Sequence, residues 1–321
     1  MSDFLQKNNF KKYLYLVIGI IFIVYISKFI DLDKNVIYEI FKKLNYVNLS
    51  FAIFLYLLSH TARVLRLIIL NPQSSLNIRG IWREQYKANG ISILLPFKLG
   101  ESYRLIYFRS FFGSYFNSFA VLLCERFLDL LVIFIILSAC IFLSPLTLPS
   151  LDYILFGSLI LLLTIALIYF SLDELTSIIH KIFIEKTTTK ASIFVINLTS
   201  NLIKAIRKIK TILNKKYASC LAVSFFIWAL EISAFFIFFD ILDGKIDLII
   251  FLAIAVSLSS LLPNGPMGYG GIQLAFYSIG VAANNPDIIN YSVIYSLCIF
   301  GSGLIVAGLL FIYDFFKIQN D

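Results

Sequence analysis

Charge is scarce in this sequence. Charged residues make up 14% of 321, hydrophobic residues 60%, and the mean hydropathy is +0.88. A soluble core has no use for that much apolar surface. Soluble globular classes are therefore excluded, and an all-α polytopic membrane protein is expected. Histidine is scarcer still: His60 and His180 are the only two and lie far apart. That excludes a multi-histidine metal centre, and no cofactor is expected. Cys124, Cys140, Cys220 and Cys298 all fall in apolar segments, with no CxxC or other paired spacing. Neither a disulfide framework nor a zinc site is implied. Acidic residues are few, 19 against 27 Lys and Arg, for a formal net charge of +8. The cations cluster between apolar segments, so the excess reads as positive-inside topology and not as nucleic-acid binding. No HExxH, GxSxG or P-loop pattern occurs. The Gly-x-Gly-Gly after Met267 has no βαβ context. The longest non-membrane stretch is roughly 45 residues, below the usual domain size, and no enzymatic activity is expected.

What remains is a series of apolar runs, read here as one membrane domain over 1–321. Residues 13–30 resemble a signal peptide but are long and lack a small-x-small cleavage site, so they predict a retained first helix. Full spans are expected over 49–70, 115–143, 151–170, 217–239 and 288–313. Two further regions hold paired short apolar pieces around Pro/Gly breaks: a hairpin over 85–112 and another over 248–283. No piece alone reaches the roughly 20 residues a span needs. The expected architecture is about six full transmembrane helices plus two re-entrant helical hairpins, one from each face. The first half covers 13–170 and the second 217–313. Between them, residues 171–216 are strongly basic, with apolar residues at helical spacing. That segment is either an amphipathic helix on the inner leaflet or a connector whose apolar face packs on the protein. Both termini are expected on the cytoplasmic side of the cell (inner) membrane.

The hairpins resemble each other. "SILLPFKLGESYRLIYF" and "SSLLPNGPMGYGGIQLAFY" share a small polar residue, two leucines, a proline, a glycine-bearing turn, one long polar side chain and an aromatic-rich helix. Equivalent breaks in two halves are what an inverted repeat produces, and in transporters such breaks meet near the midplane to form the site. Helix N-termini at a break expose N–H groups that an anionic head group satisfies, and glycine allows close backbone approach. Two unrelated proline kinks are the alternative.

Ionisable residues inside spans are costly and usually functional. Arg63 and Arg66 share a helix face, as do Glu125 and Asp129, with Arg126 beside them. Arg63, Arg66 and Arg104 are candidates to grip phosphate, because a guanidinium fork matches its oxygens. Glu101 and Glu231 are candidate proton or counter-charge carriers. A purely structural ion network, with Arg63 or Arg66 paired across the bundle to Glu125 or Asp129, is the alternative. His60 is more often a helix-packing residue.

The order of Arg63-Val-Leu-Arg66, "NGISILLPFKLGESYRLIYF", "ERFLDL" and "PNGPMGYGGIQLAF" resembles the lysylphosphatidylglycerol synthase transmembrane, or flippase-like, family. The resemblance runs from about residue 49 to residue 313 and is carried by Arg63, Arg66, Asn89, Pro96, Gly100, Glu101, Arg104, Glu125, Arg126, Pro263, Pro266, Gly268 and Gly270. Met267 stands where glycine is usual, and Gln273 where the family tends to have glutamate. The resemblance implies a flippase-like domain without the aminoacyltransferase found in the synthases. Its substrate is expected to be an anionic phospholipid or a polyprenyl-phosphate or glycolipid species. The candidate substrate-binding set is therefore the residues named above, except Pro266, together with Asp129, Glu231 and Gln273. The other reading is a non-transporting subunit that anchors a glycosyltransferase or lipid synthase partner. The sequence leaves the oligomeric state open.

Overall fold

The computed structural model describes residues 34–71, 77–95, 99–143, 190–239, 246–259, 268–282 and 288–320, with Gly265 and isolated positions between 156 and 184. Among the described residues there is no strand. Helix is what so apolar a chain demands, because in lipid each backbone amide must find its partner within its own segment. The helix expected over 13–30, much of the span 151–170, and Pro96, Pro263 and Pro266 lie outside the described residues.

The elements are α1 (Lys34–Lys43), α2 (Tyr46–Leu70), α3 (Ile78–Leu94), α4 (Leu99–Phe112), α5 (Tyr115–Leu143), α6 (Lys190–Phe238), α7 (Ile246–Ser259), α8 (Gly271–Ala282), α9 (Ile288–Tyr295) and α10 (Gly301–Asn320). A π-helical turn, Ser296–Phe300, joins α9 to α10. Their starts follow local chemistry. Asn45 accepts from the Val47 amide at 3.0 Å to open α2, and Asn77 accepts from the Gly80 amide at 2.9 Å to open α3. Ser114 does the same for α5, accepting from the Asn117 amide at 3.1 Å. Each is a short polar side chain satisfying an orphan N–H.

Among the described residues three stretches, Tyr46–Leu70, Ile193–Phe238 and Ile288–Phe316, are long and apolar enough to cross a membrane. Helix α5 has 29 residues but carries Glu125, Arg126 and Asp129. The arms of the two hairpins are shorter: 17 and 14 residues for α3 and α4, 14 and 12 for α7 and α8. Each arm falls short of a span. Within each hairpin the arms pack on one another.

Helix α6 comprises two helical stretches that meet at a kink at residue 216, where the sequence ends the basic segment. It is 49 residues long and bends at Lys216, whose backbone leaves helical values at φ −122° and ψ 20°. Before the bend, Ile203, Ile206, Ile209 and Leu213 are buried in a cluster with Val64, Leu67, Phe108 and Val121. The apolar face of the basic segment thus packs on the protein, and Lys204, Arg207, Lys208 and Lys215 lie on its exposed side.

The apolar interior is in two parts. One holds the second half of α2 with α3, α4, the first half of α5 and the first part of α6. The other holds the first half of α2 with the later parts of α5 and α6 and helices α7 to α9. The divide falls after Ala62 on α2 and after Leu128 on α5. Arg63, Arg66, Glu125, Arg126 and Asp129 lie at or beside that divide.

Candidate functional site

Arg66 is fully buried at the divide. Its guanidinium grips Asp129 with two bonds, 2.6 and 3.1 Å, and also donates to Ser224 at 2.9 Å and Glu125 at 3.2 Å. One helical turn away, Arg63 reaches Asp129 at 3.3 Å and Glu231 at 2.6 Å, and stacks near Trp228. The Trp228 indole N–H donates to Asp129, and Ser59 donates to Glu231. On the other side Glu125 accepts from Arg104 at 2.6 Å. Arg104 also donates to Gln85 at 3.2 Å and contacts Glu101 at 3.5 Å. Arg126 pairs with Glu101 and closes the series.

Four guanidinium groups therefore alternate with four carboxylates, and the formal charges cancel. Cancellation is what burial requires: an unpaired charge in such a place costs several kcal/mol. The series is graded, however. The Arg66–Asp129 pair is 1% and 2% exposed, whereas Glu101 and Arg126 are 28% and 33% exposed.

The exposed end opens on a cavity of about 220 Å³. Arg63, Glu101, Arg104, Arg126 and Glu231 contribute to its wall. Both hairpins reach it: Gln85, Asn89 and Ser92 from α3, and Ala253, Ser257, Gly268 and Ile272 from the second hairpin. Phe300, from the π turn, and Tyr295, just before it, stand on the wall too. Binding cavities for whole small ligands run from about 300 Å³ upward, so this space suits a head group and not an entire lipid.

The sequence matches the family described as the lysylphosphatidylglycerol synthase TM region over residues 14–309. The chain belongs to this family. Neither the curated proteins nor the solved structures that were compared contain a match. The family is a transmembrane one associated with lipid handling, and with the long apolar helices it makes this a multi-pass membrane protein.

The family motifs converge on the ion series, but not every residue reaches the cavity. Arg63, Asn89, Glu101, Arg104, Arg126, Glu231 and Gly268 line it. Arg66, Glu125 and Asp129 stand behind the wall, and both terminal nitrogens of the buried Arg66 are taken by Asp129, Glu125 and Ser224. Gly100 is also behind it: a Cβ there would fall inside Ser92, so glycine lets α4 start against α3. Pro96 and Pro263 lie outside the described residues.

Gln273 has a local task. Gly268 and Gly270, at φ 73° and 99°, make the left-handed turn before α8, which only glycine adopts at no steric cost. The Gln273 side-chain oxygen then accepts from the Gly270 amide at 2.7 Å. This is half of a capping box, the third helical residue reaching back to the N-cap. Gln273 is wholly buried, and its side-chain nitrogen has no hydrogen-bond partner among the described residues. Glu101 holds the same third position in α4 but faces arginines. The two hairpins thus share a register and differ in what that position does.

Several residues escaped the sequence reading. Gln85, Ser59, Ser224 and Trp228 hold members of the ion series in place. Polar residues in apolar helices were the available signal, yet Ser and Trp are too common in spans to stand out.

Proposed function

We propose that this domain moves a lipid with an anionic, phosphate-bearing head group between leaflets, with the head group passing through the cavity between the hairpins. The observation that carries this reading is the partly exposed Glu101–Arg126 pair at the cavity edge, with the buried Arg104 beside it. The arginines there are paired, so a phosphate must replace a carboxylate. Glu101 is the one placed to leave. Its contact with Arg104 is long, whereas Arg104 stays anchored by Glu125 and Gln85. An arriving phosphate takes the freed guanidinium donors, and the return of Glu101 releases it on the far side. The short arms of both hairpins suit a re-entrant, inverted-repeat arrangement around such a path. Both termini are then cytoplasmic and the membrane is the cell (inner) membrane.

Purified protein in proteoliposomes tests this with a labelled anionic phospholipid. Arg104→Ala and Glu101→Gln both abolish flipping while the protein still elutes as folded. Glu101→Gln in addition binds the lipid more tightly, having lost the competing carboxylate. Unchanged flipping in both variants would refute the proposal.

A second reading has one observation of its own. Residues 190–216 contain seven Lys and Arg and no Asp or Glu, and several of these cations are exposed. A non-transporting subunit that docks a glycosyltransferase or lipid synthase would use that face. It predicts a copurifying enzyme and no flipping by the domain alone.

A further inference from the structure

The zero net charge of the ion series restricts what can enter beside it. Arg63, Arg66, Arg104 and Arg126 balance Glu101, Glu125, Asp129 and Glu231. A phosphodiester brings one negative charge. If it displaces Glu101 and the carboxylate stays ionised, four cations face five anions. One charge is then left in the bundle without a partner, which is strongly unfavourable. A positive charge must therefore arrive with the phosphate.

The wall itself does not supply one. Among the described residues its cations are Arg63, Arg104 and Arg126, and all belong to the series. On α3, which packs against α4, Lys87 is taken by Glu84 and Asp314. The other oxygen of Glu84 accepts from Tyr103 at 2.6 Å. Gln85, beside Arg104, is neutral. A metal cation needs a shell of about six oxygens. Here the displaced phosphate partner frees only the two oxygens of Glu101. Those of Glu125 are held by Arg66 and Arg104, and those of Asp129 by Arg66. A proton needs one oxygen.

Glu101 is the carboxylate placed to take that proton. Its side chain is 28% exposed, against 3% for Glu125 and 2% for Asp129. Glu231 is 21% exposed but holds Arg63 at 2.6 Å and Ser59 at 3.0 Å. Once a phosphate occupies Arg104 and Arg126, Glu101 has lost both guanidinium partners that keep it ionised. The remaining titratable group on the wall is His60, which is 7% exposed and has no hydrogen-bond partner on either ring nitrogen among the described residues. A proton there would set a new cation one helical turn from Arg63, with no carboxylate bonded to it.

We propose that flipping is coupled to protons, one for each phosphate. Glu101 takes a proton from water as the phosphate displaces it, and returns the proton to water on the far side as it pairs again with Arg104 and Arg126. This rests on the reading of Glu101 above and adds its driving force. Loaded and empty cavities then both carry zero net charge. A lipid of charge −1 crosses with one proton, so the cycle moves no net charge. A pH gradient drives it, and a membrane potential alone does not.

The test uses phosphatidylcholine proteoliposomes with a trace of labelled phosphatidylglycerol, and protein-free vesicles as the baseline. A gradient of one pH unit concentrates the label about tenfold in the leaflet facing the alkaline side, since one proton moves with each lipid. A potassium diffusion potential without a pH gradient leaves the label evenly spread. In weakly buffered detergent near neutral pH, an indicator dye reports about one proton taken up per phosphatidylglycerol bound by the wild type. Glu101→Gln binds the lipid and takes up none. Should that variant not fold, the gradient measurement on the wild type decides alone. Flipping that ignores the pH gradient, accumulation driven by the potential alone, or binding without proton uptake overturns the coupling but keeps the lipid reading. One proton taken up by Glu101→Gln overturns it too, by placing the proton elsewhere. Neither binding nor flipping of phosphatidylglycerol by the wild type overturns both.

Discussion

Two arginines three residues apart take different roles because one is closed off and the other is not. Arg66 spends both terminal nitrogens on Asp129, Glu125 and Ser224, whereas Arg63 stands on the cavity wall. Arg66→Met strands buried carboxylates and lowers stability by about 3–5 kcal/mol, read as a fall in thermal unfolding temperature in detergent. The double variant Arg66→Met with Asp129→Leu costs less than Arg66→Met alone, since no carboxylate is left stranded at position 129. A larger loss in the double variant refutes the pairing. The sequence showed that these residues are expensive in a membrane. It did not show which arginine holds which carboxylate, because that depends on the rotation of three separate helices.

At the level of elements, the two hairpins show how far a repeated pattern carries. Pro/Gly breaks and short apolar pieces were readable from spacing, and the structure has paired short helices there. The third position of the second arm holds Glu101 in one and Gln273 in the other. Only the first faces guanidinium groups. Gln273→Leu removes the cap of α8 and costs about 0.5–2 kcal/mol. Lipid binding in the cavity is unchanged, because Gln273 is not on its wall. Thermal unfolding and a binding titration on one preparation check both halves. Helix α6 is divided by a kink at Lys216, the position at which composition separates the basic segment from the span.

Over the whole molecule, two apolar clusters meet at a belt of eight paired charges, and the cavity opens beside that belt. Charge distribution also makes a prediction about how the bundle sits. By the positive-inside rule the exposed cations of α6 before Lys216 are expected on the cytoplasmic side. A single Lys208→Cys in a variant lacking the native cysteines is labelled by a membrane-impermeant maleimide in inverted vesicles and not in intact cells. Labelling in intact cells reverses the topology.

The sequence alone determined the membrane class, the helical content and the family, because hydropathy, backbone satisfaction and local motifs act over a few residues at a time. It also determined which positions carry costly charge. Only the tertiary structure decided that the charges cancel in one continuous series, that Arg66 is sealed while Glu101 is at an edge, and that His60 and Asn89 look onto the same space. Pairing across a bundle is set by helix rotation and packing between segments as far apart as residues 63 and 231. No local pattern encodes that geometry.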